Sequence, residues 1–253
     1  MYAEERQQVI LERARQDGRV DVTGLAAEFD VTYETVRRDL TALERHGVLR
    51  RVHGGAIPVE RLGFEPALTE RDSVNIAEKE RIAKAALAEL PDEGAVLLDA
   101  GTTTVRLAEQ LPGDRELTVV TNSLPIALTL LPRVNITVML LGGRLRTRTQ
   151  AAVDAWALRA LAESFVDVAF MATNGVSVER GLTTPDPAEA EVKRAMIASS
   201  RRAVLLSDHT KVGNDHFARF ASVEDLDLII TDHGLADGLA EELETAGTTV
   251  RTA

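Results

Sequence analysis

From residue 94 onward the chain alternates short apolar runs with amphipathic stretches, and no other feature constrains its fold as much. The runs are 95–98, 117–120, 136–141, 168–171, 203–206 and 228–230. Helical periodicity marks 105–111, 124–131, 155–165, 187–200 and 236–246. Strands that are apolar on both sides, separated by helices, predict a mostly parallel, Rossmann-like α/β sheet covered by helices on both faces. A long helix over 74–90 precedes it, with Ile82, Ala85, Ala86 and Leu90 turned inward.

The first part of the chain has a different pattern, that of three helices and a hairpin. Residues 4–16 carry Val9, Ile10 and Ala14 on one face, and Gly18 ends the stretch. After β-prone 20–22, Thr23 is placed to cap a short helix with Leu25, Ala26 and Phe29 on one side. Asp30-Val31 is a tight connection, and Thr32 can cap the next helix, whose stripe is Val36, Leu40 and Leu43 and which Gly47 closes. Residues 48–56 alternate and turn on Gly54-Gly55, like a β-wing. The predicted division is an all-α/winged-helix domain at 1–57, a linker at 58–73 containing Pro58, Gly63 and Pro66, and an α/β domain at 74–253.

A net charge of −11 argues against a nucleic-acid binder as a whole, but the charge is unevenly spread. Residues 1–58 hold nine arginines against ten carboxylates, whereas 59–253 hold twenty basic and thirty acidic residues. Between 37 and 53, Arg37, Arg38, Arg45, Arg50 and Arg51, with His46 and His53, face only Asp39 and Glu44. Such a run is either a solvated helix face or a cationic patch for phosphates. A short helix, a tight turn and a longer helix with paired arginines have the shape of a helix-turn-helix. Its second helix must project polar side chains from its first turns into the major groove. Here those are Thr32, Tyr33, Thr35, Arg37 and Arg38, while Arg50, Arg51 and His53 on the wing are placed to clamp adjacent backbone. Double-stranded DNA is the implied partner.

In the second part, small polar residues follow each strand. They are Asp99-Ala100-Gly101-Thr102-Thr103-Thr104, Thr121-Asn122-Ser123, Gly142-Gly143-Arg144, Thr173-Asn174-Gly175, Asp208 to Lys211, and Thr231-Asp232. The carboxyl ends of strands in an open α/β sheet line its ligand crevice. Gly101 to Thr104, at a helix N-terminus, suit a phosphate or form an ordinary threonine cap. Lys211 is a cationic partner or a surface lysine. Asp99 and Asn122 can hold sugar hydroxyls, and Asp99 can equally bond the following turn.

Other chemistries find little support. There is no cysteine, and His46, His53, His209, His216 and His233 lack metal-ligand spacing, so neither metal nor cofactor is expected. No serine stands in a nucleophile elbow, and Gly142-Gly143 lacks the dinucleotide fingerprint. The longest apolar run, 168–172, cannot span a bilayer, and residues 1–6 lack the apolar core of a signal peptide, so a cytoplasmic protein is expected.

Val31-Thr32-Tyr33-Glu34-Thr35-Val36-Arg37-Arg38-Asp39-Leu40, then Leu43-Glu44, Gly47 and Arg51-Val52-His53-Gly54-Gly55-Ala56, resemble the DeoR-type signature of bacterial repressors. Thr32 stands where that family usually has serine, which preserves the capping hydroxyl. The later loops resemble the DeoR effector domain too, together with Gly181-Leu182-Thr183-Thr184-Pro185 and Lys193. The resemblance implies a fold similar to ribose-5-phosphate isomerase and a sugar-phosphate effector, with a fructose phosphate as the guess. It points to Asp99, Gly101, Thr102, Thr103, Thr104, Thr121, Asn122, Ser123, Gly143, Asn174, Gly175, Lys193, Asp208 and Lys211 as the binding set. Ala152-Val153-Asp154 departs from it, because the family often has a glycine there.

The alternative is a sugar-phosphate isomerase, which needs a carboxylate near the C2 proton. Isomerases of that fold carry Asp-Gly-Ala-Asp-Glu after the matching strand, where this chain has Ala172-Thr173-Asn174-Gly175. The reading is therefore a non-enzymatic, homodimeric or larger repressor of a sugar operon, with no catalytic residue assigned. The 74–90 helix is the candidate dimer element.

Overall fold

The computed structural model describes residues 3–45, 48–52, 54–58, 65, 67–236 and 238–253, the side chains of Glu4, Arg15, Arg50 and Val52 excepted. Two units, Met1–Phe64 and Glu65–Ala253, pack around separate apolar cores.

Unit 1 contains α1 (Ala3–Asp17), β1 (Val20–Asp21), α2 (Val22–Phe29), α3 (Tyr33–Arg45), β2 (Leu49–Val52) and β3 (Gly55–Pro58). Ile10, Ala14, Leu25, Val36, Leu40, Leu43, Leu49 and Ala56 are buried together. Each large side chain contributes about 1.5–3 kcal/mol on burial, which stabilises helices too short to persist alone. Asp21, not Thr23, caps α2. Its backbone is still extended, and its carboxylate accepts from the Gly24 N–H at 2.7 Å, while Thr23 already lies within the helix. Asp30 ends α2 in the left-handed region (φ 52), a conformation that aspartate tolerates. Thr32 then caps α3, its hydroxyl accepting from the Thr35 N–H at 3.2 Å. The strands form an antiparallel sheet in the order β1-β3-β2. A Cβ at Gly55 would lie 1.9 Å from the Val20 carbonyl oxygen, so β1 can approach β3 only over a glycine. Gly47, expected to close α3, is outside the described residues.

Unit 2 opens with α4 (Leu68–Asp72), inside the stretch expected to be linker, and α5 (Ile76–Ala86). The expected 74–90 helix is shorter because Asn75 is left-handed (φ 52) and Leu87–Glu89 tightens to a 3₁₀ turn. There follow β4 (Gly94–Leu98), α6 (Thr102–Gln110), β5 (Leu117–Thr121), α7 (Leu124–Leu130), β6 (Ile136–Leu140), β7 (Arg144–Arg146), β8 (Ala151–Val153), α8 (Ala155–Ala162) and β9 (Val168–Met171). The chain finishes with β10 (Gly175–Ser177), β11 (Gly181–Thr184), α9 (Pro187–Ala198), β12 (Ala203–Leu206), β13 (Ala218–Ala221), β14 (Leu228–Thr231), α10 (Leu239–Thr245) and β15 (Thr249–Thr252).

The six apolar runs do form parallel strands. With β15 they make a seven-stranded sheet in the order β15-β14-β12-β9-β4-β5-β6. Alternate residues feed two cores. Leu97, Ala169, Met171 and Leu205 pack with α8 and α9, while Val96, Leu98, Phe170 and Val204 pack with α5, α6 and α7. Ile82, Ala83 and Ala86 of α5 belong to the second core, so the apolar face of the candidate dimer helix lies on its own sheet. The hairpin β7–β8 and the antiparallel β10-β11-β13 are additions that the strand-helix alternation did not announce. Strand order reverses between β4 and β9, which puts the switch-point crevice at the ends of those two strands.

Candidate functional site

Two surfaces carry the residues singled out in the sequence. On unit 1, α3 turns Val36, Leu40 and Leu43 into the core and leaves Tyr33 (55% exposed), Arg37 and Arg38 outward. Arg37, Arg38, Thr41, Arg45 and Arg51, with Glu34, line a hollow of about 380 Å³. Arg51 comes from β2. Its N–H donates to Glu44 Oε1 at 3.0 Å and its guanidinium to Thr41 Oγ1 at 3.3 Å, so the wing strand is tied to the helix. Thr41 and Arg45 were not in the expected contact set, although 37, 41 and 45 share a helix face. Asp39 leaves the cationic face altogether. It is buried and accepts from Arg6 Nε at 2.6 Å and Gln7 Nε2 at 2.9 Å. The exposed Glu34–Arg38 pair, at 3.7 Å, is a weak, salt-screened contact. His46 and His53 lie outside the described residues, as does the Arg50 side chain.

In unit 2, Asp99 directly follows β4 and is fully buried. One carboxylate oxygen accepts the Ala172 N–H at 3.0 Å and ion-pairs with Lys193, whose ammonium also donates to the Ala172 carbonyl at 3.0 Å. Its other oxygen has no partner among the described residues. Burial pushes the Asp99 carboxyl up, opposed by the Lys193 charge and the Ala172 N–H. Lys193 is therefore tied to the ends of β4 and β9, beside the loop that lacks a carboxylate.

Gly101 is the N-cap of α6, and Thr102 to Thr104 are its first turn rather than a loop. Among the described residues no side chain caps that turn, whose N–H groups lie at the positive end of the helix dipole, as an anion requires. A Cβ on Gly101 would stand 2.5 Å from the Ala172 Cβ, so the turn packs directly on the end of β9. Thr104 donates to the Asp99 carbonyl at 2.6 Å and is part of the turn's own structure.

Several expected contact residues instead hold the loops together. Asn122 accepts from the Ala100 N–H at 3.0 Å and reaches the Ala152 carbonyl at 3.4 Å, so backbone already occupies the amide meant for a sugar hydroxyl. Thr121 donates to the Leu98 carbonyl at 2.6 Å, and Ser123 caps α7. Gly143 stands at the base of the β7–β8 hairpin, and Gly175 begins β10. Asn174 accepts from the Thr184 hydroxyl at 3.1 Å.

Asp208 follows β12, with only β9 between that strand and β4. It accepts from the Thr210 N–H at 3.1 Å and from Asn75 at 3.3 Å, and so caps the short turn that ends in Lys211. Lys79 joins this group and was not foreseen. It is buried and donates to the carbonyls of Arg71 and of Val74, the latter at 2.6 Å. Burial lowers its pKa to about 8. Asp208 opposes that shift, and Lys211 and Arg71 add to it. The sequence did carry a signal, because Lys79 shares the helix face of Ile82, Ala83 and Ala86 and a lysine on an apolar face must find partners. Among the described residues no group of His, Asp and Glu converges as metal ligands. Nor is any helix there long and apolar enough to cross a membrane.

Two family models match this chain: the DeoR-like helix-turn-helix domain over residues 6–61 and the DeoR C terminal sensor domain over 74–233. The chain is 39% identical to the HTH-type transcriptional regulator GlpR of Haloferax volcanii, over 98% of this chain and 96% of that one. It is 36% identical to an uncharacterized HTH-type transcriptional regulator, FruR of Bacillus subtilis, over 92% of each. The glycerol-3-phosphate regulon repressor of Escherichia coli shares 30% identity, again over 92% of each.

Proposed function

Because this chain belongs to the DeoR family of DNA-binding transcriptional regulators, we propose that it represses a sugar-metabolism operon and that a phosphorylated sugar relieves the repression. The carrying observation is the gathering of unlike groups at the carboxyl ends of the three central strands. An uncapped helix N-terminus follows β4, the Lys211 turn follows β12, and Asp99 keeps an unpartnered oxygen beside the strand between them. A phosphate suits the first two, and a sugar hydroxyl can donate to the third. Gly101, Thr102 and Thr103 with Lys211 are the proposed phosphate contacts, joined by Lys79, while Asp99 and Lys193 face the sugar. A fructose phosphate is the proposed effector.

Thr32, Tyr33, Thr35, Arg37 and Arg38 are proposed to enter the major groove, with Arg51 on the backbone. Two copies would read half-sites about 34–36 Å apart or a multiple of that. Sensing is favoured over isomerisation by the state of the carboxylates. Asp99 is held by Lys193, the buried Glu189 is held by Arg146 at 2.6 Å, and loop 172–175 has none.

Fluorescence anisotropy of duplex from the chain's own promoter tests the reading. Fructose 1-phosphate should weaken operator binding by the 5- to 150-fold typical of about 1–3 kcal/mol of coupling. Lys211→Ala should bind operator normally and ignore the sugar phosphate. Tighter operator binding on its addition, or its conversion to an isomer, would overturn the proposal.

A further inference from the structure

A line of buried charged side chains runs from the crevice to the first residue of unit 2. Asp99 pairs with Lys193, which lies one helical turn beyond Glu189 on α9. Glu189 pairs with Arg146 at 2.6 Å, Arg146 with Glu65 at 3.0 Å, and Glu65 with Arg71 at 3.6 Å. The side chains of Asp99, Lys193, Glu189 and Glu65 are no more than 5% exposed, and that of Arg146 is 14% exposed. Burial opposes the charge on Glu189. The Lys193 charge, the Thr149 hydroxyl and Arg146 outweigh it and hold the carboxyl below its ordinary range.

The hub of this line belongs to one element, the β7–β8 hairpin. Arg146 also reaches Asp186 at 3.2 Å, Thr149 donates to Glu189, and Arg148 donates to the Glu65 carbonyl. The Leu68 N–H donates back to the Arg148 carbonyl at 3.2 Å. The hairpin's turn and second strand are bound to the segment after β5, through Leu124 N–H to Gln150 O at 3.1 Å and Ala152 N–H to Asn122 O at 2.8 Å. Gln150 in its turn (φ 54) and Asp154 just after β8 (φ 77) have positive φ without being glycine. The hairpin thus spans from the crevice rim to Glu65, which directly follows Phe64, the last residue of unit 1, along the chain.

We propose that this hairpin is the coupling strap of the regulator: occupancy of the crevice at Asp99 and Lys193 is transmitted through Glu189 and Arg146 to the Glu65–Asp72 segment that leads out of unit 1. The inference rests on the sensor reading above for its biological use. Its mechanical content is independent of any effector. Charges buried in a low-dielectric interior are strongly interdependent, so a change at one end alters the hold on the next. Such a line couples two sites when its members have two arrangements that both sites bias.

Amide hydrogen exchange on the full-length protein tests it. Asp99→Asn keeps the Ala172 hydrogen bond and removes the charge that faces Lys193. Exchange across 65–72 should speed up at least about tenfold, while β14 stays unchanged. Thr149→Val removes one hydroxyl and no charge. It should raise exchange in the same segment about threefold, and serves if Asp99→Asn does not fold. No rise at 65–72, or an equal rise throughout unit 2, would overturn the strap. A parallel arm adds fructose 1-phosphate to the wild-type protein. If it alters neither operator binding nor exchange, the sensor reading fails, and the two variants still decide the strap.

Discussion

Arg6 and Asp39, separated by 33 positions in the chain, form a buried ion pair at 2.6 Å that joins α1 to α3. Asp39 lies beside Arg37 and Arg38 in the chain yet points away from them, because the helix turns its carboxylate inward with Val36, Leu40 and Leu43. Asp39→Ala removes the carboxylate facing a buried guanidinium, a loss on the order of 3 kcal/mol. Calorimetry should show unit 1 melting earlier, with the transition of unit 2 unmoved.

Arg37→Ala and Arg38→Ala act on exposed side chains, so each should leave stability within about 0.5 kcal/mol of the parent. Operator affinity should fall for both. Where the lost contact is to phosphate, the salt dependence should drop by about one counterion. Anisotropy titrations at several salt concentrations separate this outcome from an unfolded unit 1, which would lose all affinity.

Asp154 holds φ 77 and ψ −170, a conformation that belongs to glycine. That backbone costs about 1–3 kcal/mol. The exposed pair with Arg144 at 2.7 Å is screened by solvent and offsets little of that cost. Asp154→Gly should therefore raise the melting temperature by about 2–4 °C per kcal/mol of net relief. A lower melting temperature would show that the Arg144 contact outweighs the strain.

Lys79 titrates near pH 8 instead of 10.5, chiefly because it is buried, with Asp208 opposing and Lys211 and Arg71 reinforcing. Below pH 8 the amine is charged in folded and unfolded chains alike, and burial of that charge opposes folding. Between about pH 8 and 10.5 the folded chain holds fewer protons than the unfolded one, so this group makes stability rise with pH across that window. A phosphate bound beside Lys79 raises its pKa, so binding should take up a proton at pH 8 to 9. Titration calorimetry of fructose 1-phosphate in two buffers of different ionisation enthalpy measures that uptake, and Lys79→Met should abolish it.

The parallel sheet was legible in the sequence because its strands bury both faces. The helix-turn-helix was legible because caps, turns and stripes act over three or four residues. Asp99 and Lys193 were found through the family pattern, but their ion pair spans 94 positions and no local signal announces it. Asn122 looks the same in sequence whether it holds a sugar or a backbone, and only the arrival of β8 at its amide made it structural. Nothing in the local sequence sets Glu65, Arg146 and Glu189 apart from ordinary charged residues. Side-chain chemistry and local periodicity, which the sequence does contain, determine what each segment can become. Which carboxylate meets which guanidinium was decided by the tertiary structure alone, since burial and partner depend on elements far apart in the chain arriving at the same place.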